Sequence, residues 1–500
     1  MLPKSLFHKI IFALVILIIG SGFSSWNHDS DQWSPQQTIP GYQPDTWPPI
    51  LVADQNHVVH AFSSQWLEKN GDDPKRVIVY NQWTPDQGWN EPIDILLPQL
   101  KDDARLNSVA LDQAGVIHLV FASGDNTQVN LYYSKAPARD AGKASAWSEP
   151  ILIDANVQDP ENAAIYVNDP LNLGILFAGT EKGNGMYATY SIDGGERWSH
   201  PVSIFSTSNR EYLVNNLQIN QGGSGDVHAI WNEITDGGQG RGIYYTVLNT
   251  GDLRWRAPQR IAEAESGYGT NTPAVIERDG EIFAFYNLNG IMMRRSIDGG
   301  ASWTNPVLIF SRHVGVNGAL SLVIDSDNVL HLLFGQRITG NPDIHGMWHS
   351  VWQGEKWSEP EAIVSGPAIP DQVGVNAFDP YEARAVVSQG NILLVTWRSD
   401  PGLKGNGVWF SYKVLDAPEL LGDILPVLQQ KPTPELSSES YTPTPTPQNI
   451  PSDQNNELLL DGLRNAPEQT GNPMKPLALG IIPTIFLIAG AIVILRKIRR

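Results

Sequence analysis

No cysteine occurs anywhere in the 500 residues. Disulfides and thiolate metal centres are excluded, and cysteine usage says nothing about the redox compartment. Positive charge is also scarce: 34 Lys and Arg stand against 53 Asp and Glu, a net charge of -19. That balance argues against a chain that tracks a phosphate backbone, so no nucleic-acid partner is expected. Tryptophan (16), glycine (45) and proline (36) are abundant. That mixture suits many short strands joined by tight turns, in a chain long enough to bury a large core.

The two long uncharged runs lie at the ends. Lys4 and Lys9 precede an apolar run, Ile10 to Ile19, and then Gly20, Ser21 and Gly22. This is the layout of a secretory signal over residues 1–25, with an uncleaved anchor as the alternative. Leu477 to Leu495 carries no charge and is long enough to span a hydrocarbon core. The basic residues Arg496, Lys497, Arg499 and Arg500 follow at once, which expects a cytoplasmic tail at 496–500 with the main body outside the cell membrane. Residues 420–476 are rich in Pro, Thr and Ser, and read as a disordered stalk. A globular body over 26–419 remains, expected to be a monomer.

That body repeats itself. An apolar strand ending in a polar turn recurs seven times: ILVADQN (Ile50), SVALDQAG (Ser108), AAIYVNDP (Ala163), LQINQGGSG (Leu217), PAVIERDG (Pro273), SLVIDSDN (Ser321) and ARAVVSQG (Ala383). A Trp-x-x-Pro strand recurs six times, at Trp89, Trp147, Trp198, Trp255, Trp303 and Trp357. The missing seventh stands at the front, as WSPQQTI from Trp33 to Ile39. The offset predicts an all-β, seven-bladed β-propeller whose last blade is completed by the N-terminal strand, leaving no open edge. A six-bladed ring is the alternative, if one degenerate unit forms no full sheet.

SIDGGERWSHPV (Ser191–Val202) and SIDGGASWTNPV (Ser296–Val307) mark two of the outer hairpins. Ser191, Asp193, Gly195 and Trp198, and likewise Ser296, Asp298, Gly300 and Trp303, fit S-x-D-x-G-x-x-W. A short carboxylate can accept from backbone N–H groups in its own turn, and glycine supplies φ > 0 for a tight hairpin. The tryptophan then fills the wedge between sheets. This pattern is the Asp box, and from Trp33 to Pro418 the chain resembles the sialidase-like Asp-box (BNR repeat) β-propellers. In that family the boxes are structural and lie away from the active face. His60, His118, His228 and His331 recur on the second strands. They read as packing or hydrogen-bonding residues, so neither a metal site nor any other cofactor is expected.

The loops leading into the innermost strands should converge over the central channel. The resemblance implies three arginines on a substrate carboxylate, a Tyr nucleophile with a Glu partner, and an Asp acid/base. The family's first arginine sits in an Arg-Ile-Pro motif. Here Thr46 stands in its place, two residues before Pro48. Arg105, Arg210 and Arg384 are the candidate guanidiniums. Tyr381 is the candidate nucleophile, with Glu211 or Glu382 as its partner and Asp125 as the acid/base. Trp47, Tyr42 and Tyr268 are candidates for an aromatic binding rim. Two functions are therefore expected: a propeller that binds a glycan or extracellular protein ligand over its channel, or an exo-sialidase or other glycoside hydrolase.

Overall fold

A computed structural model of the chain describes residues 32–67, 74–125, 127–155, 157–250, 254–263, 271–314, 318–336, 345–366, 380–399 and 407–422. All lie in one compact unit, Met1–Leu425; a second unit, Pro426–Arg500, is outside the described residues. So are the expected signal segment, nearly all of the stalk, the apolar run 477–495, the basic tail and Tyr268. Among the described residues no helix is long and apolar enough to cross a membrane.

The body is a seven-bladed β-propeller: seven antiparallel sheets of four or five strands. The innermost strands are Ile50–Ala53, Ala104–Leu111, Ala163–Val167, Leu213–Gln221, Asn271–Arg278, Ser321–Ile324 and Pro380–Ser388. Each touches the innermost strand of the blades on either side, and Ile50–Ala53 meets Pro380–Ser388. The seventh sheet consists of Pro380–Ser388, Ile392–Ser399, Gly407–Val414 and the N-terminal Gln37–Thr38. Gln37 pairs with Phe410 and Thr38 with Trp409. Ser34 N donates to Tyr412 O at 2.8 Å, and Ile39 N to Val408 O at 3.0 Å.

Second strands lie between neighbouring sheets and are covered on both faces. Leu173–Gly179, Val227–Ile234, Leu330–Gln336 and Ile392–Ser399 are buried throughout, which is why they read as nearly continuous apolar runs. Innermost strands leave N–H groups without a ladder partner, and side chains of the preceding blade accept from them. Ser64 Oγ accepts from Leu106 N at 2.7 Å, Asn107 Oδ1 from Ala163 N at 3.0 Å and Asn162 Oδ1 from Leu217 N at 3.2 Å. Asn220 Oδ1 accepts from Glu277 N at 2.9 Å, and Ser321 Oγ from Ala385 N at 3.0 Å. Buried backbone donors are satisfied across the blade boundary in this way.

Each closing tryptophan meets an aromatic ring of the preceding blade edge-on. Trp89 packs on Phe410, Trp147 on Phe62, Trp198 on Tyr133 and Trp255 on Tyr166. Trp303 packs on Tyr245 and Trp357 on Phe285. The seventh contact joins Trp33 to His349, at 5.4 Å between centroids and 80° between planes. This T-shaped geometry sets the positive ring edge against the negative face.

The two Asp boxes lock two of these contacts. Ser191 Oγ accepts from Gly195 N at 2.9 Å and donates to Asp193 Oδ1 at 2.9 Å; Asp193 Oδ1 also accepts from Arg197 N at 2.9 Å. Ser296, Asp298, Gly300 and Ser302 repeat the arrangement. The side-chain bond from Arg197 leads in holding Asp193 down at about 2, and that from Ser302 does the same for Asp298. Gly195 and Gly300 have φ of +86° and +83°, and a Cβ on either would strike Tyr133 or Tyr245 of the preceding blade. Both demands exclude other residues.

The same tyrosines hold the recurring histidines. His60, His118 and His228 place Nδ1 2.7 Å from the hydroxyls of Tyr80, Tyr133 and Tyr245. On the other side, His60 Nε2 lies 3.3 Å from Asp54 Oδ2, and His118 Nε2 3.2 Å from Asp112 Oδ2. Blade six has His349 where blades one, two and four have tyrosine. His331 Nδ1 lies 2.9 Å from His349 Nε2, and His331 Nε2 lies 3.2 Å from Asp325 Oδ2. His349 Nδ1 reaches Glu361 Oε1 at 2.7 Å, which also accepts from Trp33 Nε1 at 3.0 Å and Lys413 Nζ at 2.8 Å.

Candidate functional site

A cavity of about 460 Å³ opens at the centre of the ring, and all seven blades line it. Its shape begins with bulges in the innermost strands. Pairing slips between Asn215 and Gln218, between Asn271 and Ala274, and between Tyr381 and Arg384. Each bulge contains a non-glycine residue with left-handed backbone: Asn216 (φ 52°), Thr272 (φ 53°) and Glu382 (φ 59°). Such conformations persist where the surroundings over-determine them, and bulges re-aim side chains beside sites.

A clasp to the second strand holds each bulge. Asn216 Nδ2 donates to Asn232 Oδ1 at 3.3 Å, and Asn287 Nδ2 donates to Thr272 Oγ1. In blade seven the clasp is an ion pair, Arg398 Nε to Glu382 Oε2 at 3.0 Å. The Arg398 guanidinium carbon lies 3.8 Å from the Trp47 ring centre and 4.8 Å from that of Tyr381.

Positive charge gathers on one side, in the adjacent blades seven, one and two. Arg384, Arg76 and Arg105 all line the cavity. Arg76 Nη1 pairs with Asp103 at 3.2 Å and stacks over Trp66 at 4.6 Å. Arg105 pairs with Asp103 at 3.0 Å and with Glu161 at 2.8 Å. Arg384 differs: its Nε is buried with no hydrogen-bond partner among the described residues. Burial depresses its pKa, opposed only by the charge of Glu382. The other side of the wall carries Asn215, Asn216, Thr272, Gly318 and Ala319. The arrangement combines an arc of guanidiniums partly neutralised by Asp103, Glu161 and Glu382, amide groups able to bond hydroxyls, and one partly exposed indole.

The expected residues divide accordingly. Arg105, Arg384, Tyr381, Glu382 and Trp47 come together in the lining. Arg210 and Glu211 are exposed and stand outside it, and the Arg210 carbonyl accepts from Asn184. Asp125 is exposed and also outside the lining; the bond from Thr127 leads in holding it at about 2, with Lys101 3.6 Å away. Tyr42 donates to Asn81 Oδ1 at 2.9 Å and is likewise not in the lining. Thr46 is buried and donates to Gln65. Sequence reasoning missed Arg76 and Arg398. Arg76 begins a third strand and Arg398 lies within an apolar second strand, where a lone arginine is the one available signal.

No protein-family model and no curated protein matches the chain. Solved structures do. One is an ulvan lyase, a polysaccharide lyase bound to GlcA(1-4)Rha3S, at 13% identity over 77% of this chain and 97% of that one, with a TM-score of 0.48. Another is the Penicillium chrysogenum alpha-L-arabinanase complexed with arabinobiose, at 12% identity, 77% and 98% coverage and a TM-score of 0.45. A third is the NanB sialidase of Streptococcus pneumoniae, at 11% identity, 77% and 71% coverage and a TM-score of 0.41. At these values the likeness is one of fold, and no chemistry follows from it. The chain is a divergent β-propeller that resembles the sialidase-like propellers at low identity.

Proposed function

We propose that this is a membrane-anchored, extracytoplasmic propeller that binds a carboxylate-bearing glycan in its central cavity. One observation carries the reading: Arg384, half-buried overall, keeps its Nε buried and without a partner among the described residues, at a cavity that Arg105 and Arg76 also line. A buried charge without a full set of partners is costly, and a bound carboxylate supplies them bidentately. Asn215 and Asn216 offer amides to sugar hydroxyls. The signal and anchor segments support the location, and the strand at Gln37–Thr38 is proposed to close the ring as well.

Hydrolysis by a Tyr381–Glu382 pair is the second reading, supported by their place in the lining. Two features favour binding instead. The Glu382 carboxylate is already engaged by Arg398. Asp125, held near 2 and outside the cavity, is ionised at neutral pH and has no proton to give.

The test uses full-length protein in detergent on an array of carboxylated and neutral glycans, beside a fluorogenic sialoside assay. Selective binding of carboxylated glycans, lost in Arg384→Ala, supports the reading. Turnover that Tyr381→Phe abolishes favours the hydrolase.

A further inference from the structure

The three bulge clasps supply an internal comparison. Amide or hydroxyl partners suffice in blades four and five, at Asn216–Asn232 and Thr272–Asn287. Of the three, only blade seven uses an ion pair, so the Arg398 guanidinium does something a neutral clasp does not. It packs against Trp47 and Tyr381, at 3.8 Å and 4.8 Å from their ring centres. Arg398 is 8% exposed, whereas Trp47 is 40% exposed and lines the cavity. A large aromatic ring is thus held against a buried cation and remains substantially exposed at the cavity.

We propose that Trp47, Arg398 and Tyr381 form a stacking subsite, in which the exposed part of the Trp47 indole receives the C–H face of a pyranose ring and Arg398 is the positioning residue. The proposal deepens the glycan reading and rests on it. A pyranose is amphipathic, with an apolar C–H face and a rim of hydroxyls. The cavity matches it, with one indole set beside amides and guanidiniums. A cation already against the indole discourages a second cation at its exposed part. Ammonium ligands are therefore disfavoured, and a neutral C–H face fits. An acidic sugar stacked there would turn its carboxylate to Arg384, which lines the same side of the cavity on the strand that carries Tyr381.

The test compares wild type, Trp47→Ala, Trp47→Phe and the double variant Glu382→Gln/Arg398→Gln, which rebuilds a neutral clasp like those of blades four and five. Without ligand, hydroxyl-radical oxidation of Trp47 is followed by mass spectrometry. The double variant is expected to keep its thermal midpoint within a few degrees and to oxidise Trp47 several-fold faster. No faster oxidation overturns the role of Arg398, whatever glycan binds. With ligand, the probe is the carboxylated-glycan array. Trp47→Ala and the double variant are expected to lose binding about tenfold or more, and Trp47→Phe to keep most of it. If Trp47→Ala binds as wild type does while Arg384→Ala does not, the platform falls and the glycan reading stands. If wild type binds no carboxylated glycan, the glycan reading falls and the subsite falls with it.

Discussion

Arg384 shows at the level of one residue how a binding site is set against stability. Its Nε has no partner among the described residues, and burial depresses its pKa. Replacing it with methionine removes an uncompensated polar group, worth roughly 1–3 kcal/mol. Arg384→Met is therefore expected to raise the midpoint of denaturant unfolding and to abolish glycan binding. A fall in both would mark Arg384 as structural. The Asp-box glycines behave oppositely. Gly195→Ala or Gly300→Ala forces an alanine into φ > 0 and into Tyr133 or Tyr245. Each should cost more than about 1 kcal/mol, read as a drop in thermal midpoint with binding unchanged. The sequence marks these glycines because a motif surrounds them. Arg76 and Arg398 have no such frame. Each sits on a strand whose neighbours are core residues; Arg76 reaches Asp103 beside Arg105 only where blades one and two pack, and Arg398, which pairs with Tyr381 across its own sheet, reaches Trp47 only where blades seven and one meet. Thr46, by contrast, shows in advance that the family's arginine motif is absent.

Among the elements, blade six is the informative exception. Where tyrosine is present, the relay needs two protons for two contacts, and a neutral histidine plus a tyrosine hydroxyl supply both. Asp325–His331–His349–Glu361 has three contacts and only two protons when both imidazoles are neutral. Burial, and then the neighbouring His349, lower His331 to about 4; burial also leads in lowering His349, His118 and His228. Unfolded histidine titrates near ~6.5. Between that value and the folded pKa the unfolded state binds more protons, so stability falls as pH drops. The loss is expected to begin below about pH 6.5 and, for His331, to run down to about 4. His349→Tyr installs the tyrosine partner of blades one, two and four and removes one of these groups. Its unfolding free energy should decline less between those limits. Equal slopes for variant and wild type would show that this pair does not contribute. The relay was half legible. Four histidines in register signal a repeated structural role, but the pairing of His349 with His331 depends on the hairpin register.

In the molecule as a whole, seven edge-on contacts join each blade to the one before it, and the last runs through Trp33 to His349. The blade count was legible because every closing tryptophan serves this same contact, which leaves a regular mark in the sequence. Trp33→Ala is expected to cost about 2–4 kcal/mol and to leave the seventh sheet prone to open at its edge. Its signature is a lower thermal midpoint together with faster hydrogen exchange in Gly407–Val414; a lower midpoint without that exchange would place the loss elsewhere. The cavity was less legible than the ring, because its charge comes from three different strand positions in three adjacent blades. Isothermal titration of full-length protein with the strongest-binding carboxylated glycan and with its carboxyl-reduced analogue tests the central claim most directly. The account predicts binding to the first, at least tenfold weaker binding to the second, and loss of that preference in Arg384→Ala. Equal affinity for the two forms, or an Arg384→Ala variant that still discriminates between them, would contradict it.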